Sequence, residues 1–216
     1  MKSTSFRRRV LGCIIAIVLA NQSACTHKSN EPYDPAPYRN VMITLDERPR
    51  VGIDTDFGQI VLELRPDLAP KHCQSMIYLA EKGFYNSVPF YRVVPGFVIQ
   101  GGDPFGNGSG GPGYTVPAEF SSEPITDGTL SMVHWDDINS AGSQFFIALG
   151  RLSSLDRKYT VFGKVVQGLD VVHTIEKVPC NGERPKSPVY MNRVYRIVHE
   201  SAEHPAISGS TRPSAN

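Results

Sequence analysis

The chain has 216 residues, 20% of them charged, with a formal charge of +1 at neutral pH. That length suits one domain with a full core, and the balanced charge, with no basic cluster beyond Arg7-Arg8-Arg9, argues against a nucleic-acid surface. The 19 glycines and 17 prolines gather in turns, as in a turn-rich β protein, and no solenoid-period repeat is evident.

Arg7-Arg8-Arg9 forms a charged start and Val10 to Ala20 an apolar stretch. A bilayer span takes about 20 apolar residues, so this shorter stretch reads as an export signal over residues 1–25. Ser23-Ala24-Cys25 resembles the end of a bacterial lipobox, although Gln22 stands where that pattern wants an aliphatic residue. Two outcomes stay open: lipidation of Cys25, with acyl chains tethering the chain to a membrane, or ordinary signal-peptidase cleavage. Either way the domain is expected outside the cytoplasm, in the periplasm and with a possible membrane anchor. Residues 26–49 carry Pro32, Pro35, Pro37 and Pro49 and read as an extended linker.

Val51–Asp54 and Gln59–Leu64 read as strands with a turn at Asp56-Phe57-Gly58. Pro70 sits where a helix can start, and Gly83 supplies a left-handed stop after Lys82. Cys73 falls on the apolar stripe of that helix with Met76, Ile77 and Ala80. It reads first as a buried free thiol, with pairing to Cys180 in an oxidising compartment left open. Pro89–Val94 and Phe97–Gly101 are strands broken by Pro95-Gly96. Gly106-Asn107-Gly108-Ser109-Gly110-Gly111 satisfies the G-x-G-x-x-G pattern. However, Pro112-Gly113-Tyr114-Thr115 cannot open the helix a dinucleotide site needs. Further strands are expected at Thr129–His134, Gln144–Ala148, Val161–Val165 and within Val189–His199, with a second helix over Leu169–Val178. Residues 201–216 read as a disordered tail. Many short strands and two helices suggest a closed antiparallel barrel. No cysteine or histidine spacing marks a metal site, and Ser143 and Ser109 lack a nucleophile-elbow context.

In the run Phe90-Tyr91-Arg92-Val93-Val94-Pro95-Gly96-Phe97-Val98-Ile99-Gln100-Gly101-Gly102-Asp103, Arg92 and Gln100 interrupt an apolar pattern. An unpartnered buried guanidinium is costly. Taken alone, Arg92 reads more readily as a solvent-face residue bridged to a surface carboxylate. This run resembles the central signature of cyclophilin-type peptidyl-prolyl isomerases. In the family's order follow Gly113-Tyr114, Leu130-Ser131-Met132, Gly142-Ser143-Gln144-Phe145-Phe146-Ile147 and Ser154-Leu155-Asp156-Arg157-Lys158-Tyr159-Thr160-Val161-Phe162-Gly163.

The resemblance covers roughly residues 50–200. It implies a closed eight-stranded antiparallel barrel capped by two α-helices, acting on proline-containing segments of folding proteins without cofactor or metal, as a monomer. It implies Arg92 as the catalytic donor and Gln100 as the residue that orients it. Phe97, Val98, Phe146 and Leu155 would form the proline slot, with Tyr159 at the rim. Gln144 and the main chain of His134 would grip the peptide backbone. Phe145, alternating with Phe146, should face the core. Trp135 is open between a peptide contact and a buried anchor. Ser154 stands where many animal members carry Trp, and Tyr91 and Tyr159 where His is common. Weak cyclosporin binding is therefore expected. A non-catalytic peptide-binding holdase is the alternative function; Arg92 and Gln100 favour the enzyme.

Overall fold

The computed structural model describes residues 38–198. The expected signal, Cys25, the first part of the linker and the tail lie outside the described residues.

Eight strands form one sheet. They are β1 Arg50–Thr55, β2 Gly58–Leu64, β4 Arg92–Val94, β5 Val98–Gly101, β6 Thr129–Met132, β7 Phe145–Ala148, β8 Val161–Gln167 and β12 Arg193–Ile197. Their order across the sheet is β12-β1-β2-β8-β6-β7-β5-β4. All of its pairings are antiparallel. The expected closure is not seen: no ladder joins β12 to β4, so the sheet is a curled, open half-barrel. A separate ribbon, β3 (Val88–Phe90) with β11 (Val189–Met191), stands near the seam, β3 beside β5 and β11 beside β1. The physical reason lies at Tyr91, where the chain changes partner. Before it the backbone pairs with β11, after it with β5, so the single strand expected over 89–94 is two.

Helix α1 (Pro70–Glu81) packs on β12 and β8, and α2 (Leu169–Ile175) on β2. Pro70 occupies the first turn, where its missing N–H has no intrahelical role. Ala69 offers no side-chain cap; the Glu119 carboxylate instead accepts the N–H groups of Lys71 (3.2 Å) and His72 (3.1 Å). Gly83 ends the helix at φ 66°. Cys73 is buried and free, its Sγ 3.5 Å from the Phe162 carbonyl, and burial pushes its thiol far up; Cys180 is free and half-buried. Helix α2 stops at Ile175, three residues before the expected end, and Val172 and Ile175 are its buried residues.

Residues 38–49, the described end of the expected linker, lie along the domain. Tyr38 is buried and stacks on Tyr114 at 5.0 Å, and the Val41 carbonyl accepts from Gln74 at 2.9 Å. A two-stranded hairpin, β9 (Cys180–Asn181) with β10 (Arg184–Pro185), was not expected. It docks on β4, the sheet's free edge, where Val93 N–H donates to the Glu183 carbonyl at 2.7 Å.

Strand alternation produces two apolar clusters. The main core holds Val93, Ile99, Leu130, Phe145, Ile147 and Phe162 under α1. A second, smaller cluster gathers Val98, Ile125, Phe146, Ala148, Leu152 and Val161.

Candidate active site

Three strands set one rung. Arg92 on β4 faces Gln100 on β5, and Gln100 faces Phe146 on β7. Directly opposed residues point to the same side of a sheet, so these three share the face away from the main core. The Pro95-Gly96 turn fixes that register, with Gly96 at φ 70°. Glu176, the residue that caps the end of α2, holds the turn, accepting the Gly96 N–H at 2.6 Å. Burial pushes the Glu176 carboxyl up, but the bonds from His173 and Gly96 outweigh it and leave it lowered.

All five residues assigned to the slot come together. Val98 and Phe146 belong to the second cluster, and Phe97, Leu155 and Tyr159 pack against it half-buried. Tyr159 meets Phe146 edge-on at 5.6 Å and stacks on His134 at 4.7 Å. Phe145 turns to the other face, in the main core, as its alternation with Phe146 requires.

Arg92 is 31% exposed, with its guanidinium carbon 5.9 Å from the Phe97 ring centroid. Its Nη1 donates to Gln100 Oε1 at 3.2 Å; Nε and Nη2 donate to Glu183 at 2.7 and 3.3 Å. The plain reading of Arg92 therefore holds in part: it does bridge to a surface carboxylate. It also borders the slot and engages Gln100, which a plain surface ion pair would not do. The Arg92 bond holds the Glu183 carboxyl below its usual range.

Gln100 and Gln144 are both buried. Tyr91 lies between them. Its hydroxyl accepts from Gln100 Nε2 and donates to Gln144 Oε1 at 2.6 Å. Gln144 Nε2 in turn donates to the carbonyls of Gly108 (3.0 Å) and Gly110 (2.8 Å). Burial, then the nearby Asp103 charge, pushes the Tyr91 phenol up to about 12, so it keeps its proton at neutral pH. The loop supplying those carbonyls is moulded on Asp103, which is fully buried. Its Oδ1 accepts from Phe105 N–H at 2.8 Å, and Oδ2 from Asn107 N–H at 2.9 Å and from Gly108 N–H. A Cβ at Gly110 would overlap the Asp103 carboxylate. The G-x-G-x-x-G match thus folds around an internal anion, and no helix follows it.

A cavity of about 340 Å³ lies beside Gln144. Ser109, Gly111, Tyr114, Trp135 and Ser140 are among its walls. Trp135 is 58% exposed, which rules out the buried-anchor reading. The His134 imidazole is occupied structurally: Nδ1 lies 2.6 Å from the Trp135 carbonyl and Nε2 2.8 Å from that of Lys158.

Tyr91, Asp103 and Glu183 were not assigned roles from sequence. Asp103 and Tyr91 sit inside the signature run, where a buried carboxylate after two glycines and an aromatic before Arg92 were signals to be read. Glu183 lies 91 residues beyond Arg92 and carries no local signal.

An apolar slot thus lies beside a held arginine, with a cavity beside Gln144. The family model for the cyclophilin type peptidyl-prolyl cis-trans isomerase/CLD matches residues 50–196. A probable peptidyl-prolyl cis-trans isomerase of Brucella suis is 48% identical over 132 residues, covering 56% of this chain and 67% of the relative. Peptidyl-prolyl cis-trans isomerase-like 3 of Gallus gallus is 39% identical over 151 residues, covering 67% and 93%. The crystal structure of a cyclophilin type peptidyl-prolyl cis-trans isomerase of Cryptosporidium parvum superposes with a TM-score of 0.68 at 30% identity, covering 71% of this chain and 99% of that one. A second structure of that protein, in the presence of the dipeptide Ala-Pro, gives 0.67 at 31% identity, covering 69% and 99%. The chain belongs to the cyclophilin-type peptidyl-prolyl cis-trans isomerase family.

Proposed function

We propose that this chain speeds rotation about X–Pro bonds in exported or folding proteins, with Arg92 stabilising the twisted amide. The barrier to that rotation is about 18–20 kcal/mol. No bond breaks, so the catalyst has only to hold the twisted amide better than either planar form. When the amide twists, its nitrogen loses conjugation and regains a lone pair. A guanidinium carries five N–H groups in a fixed plane. Glu183 takes two of Arg92's and Gln100 one, which leaves two for a substrate. The slot of Phe97, Val98, Phe146, Leu155 and Tyr159 takes the proline ring. Gln144 and the His134 main chain hold the peptide backbone. The observation that carries this reading is the placement of Arg92 at the edge of that apolar cluster, tied to Gln100. The related protein solved in the presence of Ala-Pro supports the substrate class.

Export rests on Arg7-Arg8-Arg9 and the apolar Val10–Ala20, and a membrane tether on Ser23-Ala24-Cys25. Mass spectrometry of the mature N-terminus tests the tether: a glyceride on Cys25 supports it, and a different N-terminus removes it. Proline-isomer exchange on a short peptide tests Arg92. Arg92→Ala is expected to lose 10- to 1000-fold, about 1.4–4 kcal/mol of transition-state stabilisation. Equal rates in the two proteins would refute the role.

A further inference from the structure

The hydrogen bonds that begin at Arg92 run in one direction. A guanidinium only donates, so Gln100 must turn Oε1 to Arg92 and Nε2 to Tyr91. The Tyr91 hydroxyl is thereby an acceptor, and it spends its single proton on Gln144 Oε1. Gln144 then points Nε2 at Gly108 and Gly110. Each group has one role left to it, and the chain ends on the loop that walls the cavity. Tyr91 itself borders neither the slot cluster nor the cavity. Ring packing at this position needs no hydroxyl, yet the hydroxyl is the one atom that joins two buried glutamines.

We infer that Tyr91 is a positioning residue that couples peptide grip at the cavity beside Gln144 to the setting of Arg92. A peptide that reaches the cavity is then turned over faster, rather than merely held tighter. Filling the cavity steadies Gln144 and the Gly108 and Gly110 carbonyls. Hydrogen bonds in a chain polarise and orient one another. Binding energy gathered at a distance is in this way expressed in the transition state. The inference rests on the catalytic reading of Arg92.

The test uses exchange kinetics on two proline peptides, a blocked Ala-Pro dipeptide confined to the slot and a longer one extended into the cavity. In the wild type the extension raises kcat by about two- to tenfold, the worth of one hydrogen bond. In Tyr91→Phe the extension still lowers KM but no longer raises kcat. A kcat that is the same for both peptides in the wild type overturns the inference, as does a gain kept by Tyr91→Phe. Arg92→Ala separates the two levels. If it is inactive while Tyr91→Phe matches wild type, the relay fails and the role of Arg92 stands. If it keeps full rate, the role of Arg92 fails and the relay with it. Should Tyr91→Phe not fold, wild type carries the test. A blocked Ala-Ala dipeptide is titrated to saturation on the Trp135 indole signal, and the Arg92 Nε–Hε resonance must shift with it. An unmoved resonance at saturation overturns the coupling.

Discussion

Asp103→Asn probes the loop that holds Gln144. The native carboxylate is fully buried and accepts three backbone N–H groups, one on Oδ1 and two on Oδ2. An asparagine best places its oxygen where Oδ2 stands, keeping Asn107 and Gly108 as neutral partners. Its NH₂ group then meets the Phe105 N–H, donor against donor, and presses on the Gly110 backbone. Hydrogen bonds to a charged group contribute about 1.5–3 kcal/mol each, and an orphaned buried N–H costs about 1–3. One orphaned donor plus two weakened bonds gives a loss of about 2–4 kcal/mol. In a chain of this size that lowers Tm by roughly 5–15 °C. Hydrogen exchange should quicken at Phe105, Asn107 and Gly108 while the strands keep their protection, and KM for a proline peptide should rise as Gln144 loses its carbonyl partners. Unchanged exchange at those three amides, with Tm intact, would refute the view that this anion builds the loop.

Two further predictions concern charges at the site's edges. Bonds to Glu176 and then Asp127 raise the His173 pKa above its usual value. The stability they supply is therefore full below the unfolded value of about 6.5 and fades as pH rises through the raised value. Wild type should lose more Tm than His173→Gln between pH 6 and pH 9, and parallel curves would dismiss the coupling. Glu183 is exposed, so Glu183→Ala should leave Tm within about 2 °C of wild type. It should nevertheless lower kcat by about two- to fivefold, because Arg92 loses the anchor on Nε. An unaltered kcat would leave Gln100 as the residue that sets Arg92.

The legible parts of the molecule are those whose cause is local. Pro70 and Gly83 bracket α1 because proline and glycine act on their own backbone. The Arg92–Gln100 pair could be placed because a short turn between strands, here the three residues Pro95, Gly96 and Phe97, fixes which residues face each other. The opposed faces of Phe145 and Phe146 follow from strand alternation alone. What could not be read depends on partners far along the chain. Strand periodicity does not say whether a sheet's last edges meet, so the open seam between β12 and β4 was invisible. The hairpin at Cys180–Pro185 has two-residue strands, too short for any pattern. Its Glu183 reaches Arg92 only because Val93 ties the hairpin to β4. Tyr38 falls in a stretch whose prolines suggested an extended tether, and its burial depends on Tyr114, distant in sequence.

The compactness of the signature run has a physical reason. Everything that must agree at Arg92 is a matter of register on three strands. A one-residue slip of β4 against β5 would send Arg92 toward Val93's side, into the main core, and turn Val93 to the slot. Burying that charge among Phe145, Ile147 and Leu130 would cost far more than Val93 could contribute by packing in the slot. The arginine therefore enforces the pairing that its role demands. The Pro95-Gly96 turn and the Glu176 bond to Gly96 hold the same register from the other end. Of the slot residues outside the run, Phe146 is fixed by β7, whereas Leu155, at the end of a 3-10 turn, and Tyr159, on the loop beyond it, need only pack. They can vary in kind, provided the slot stays apolar, whereas Arg92 and Gln100 cannot exchange with their neighbours without unmaking the sheet.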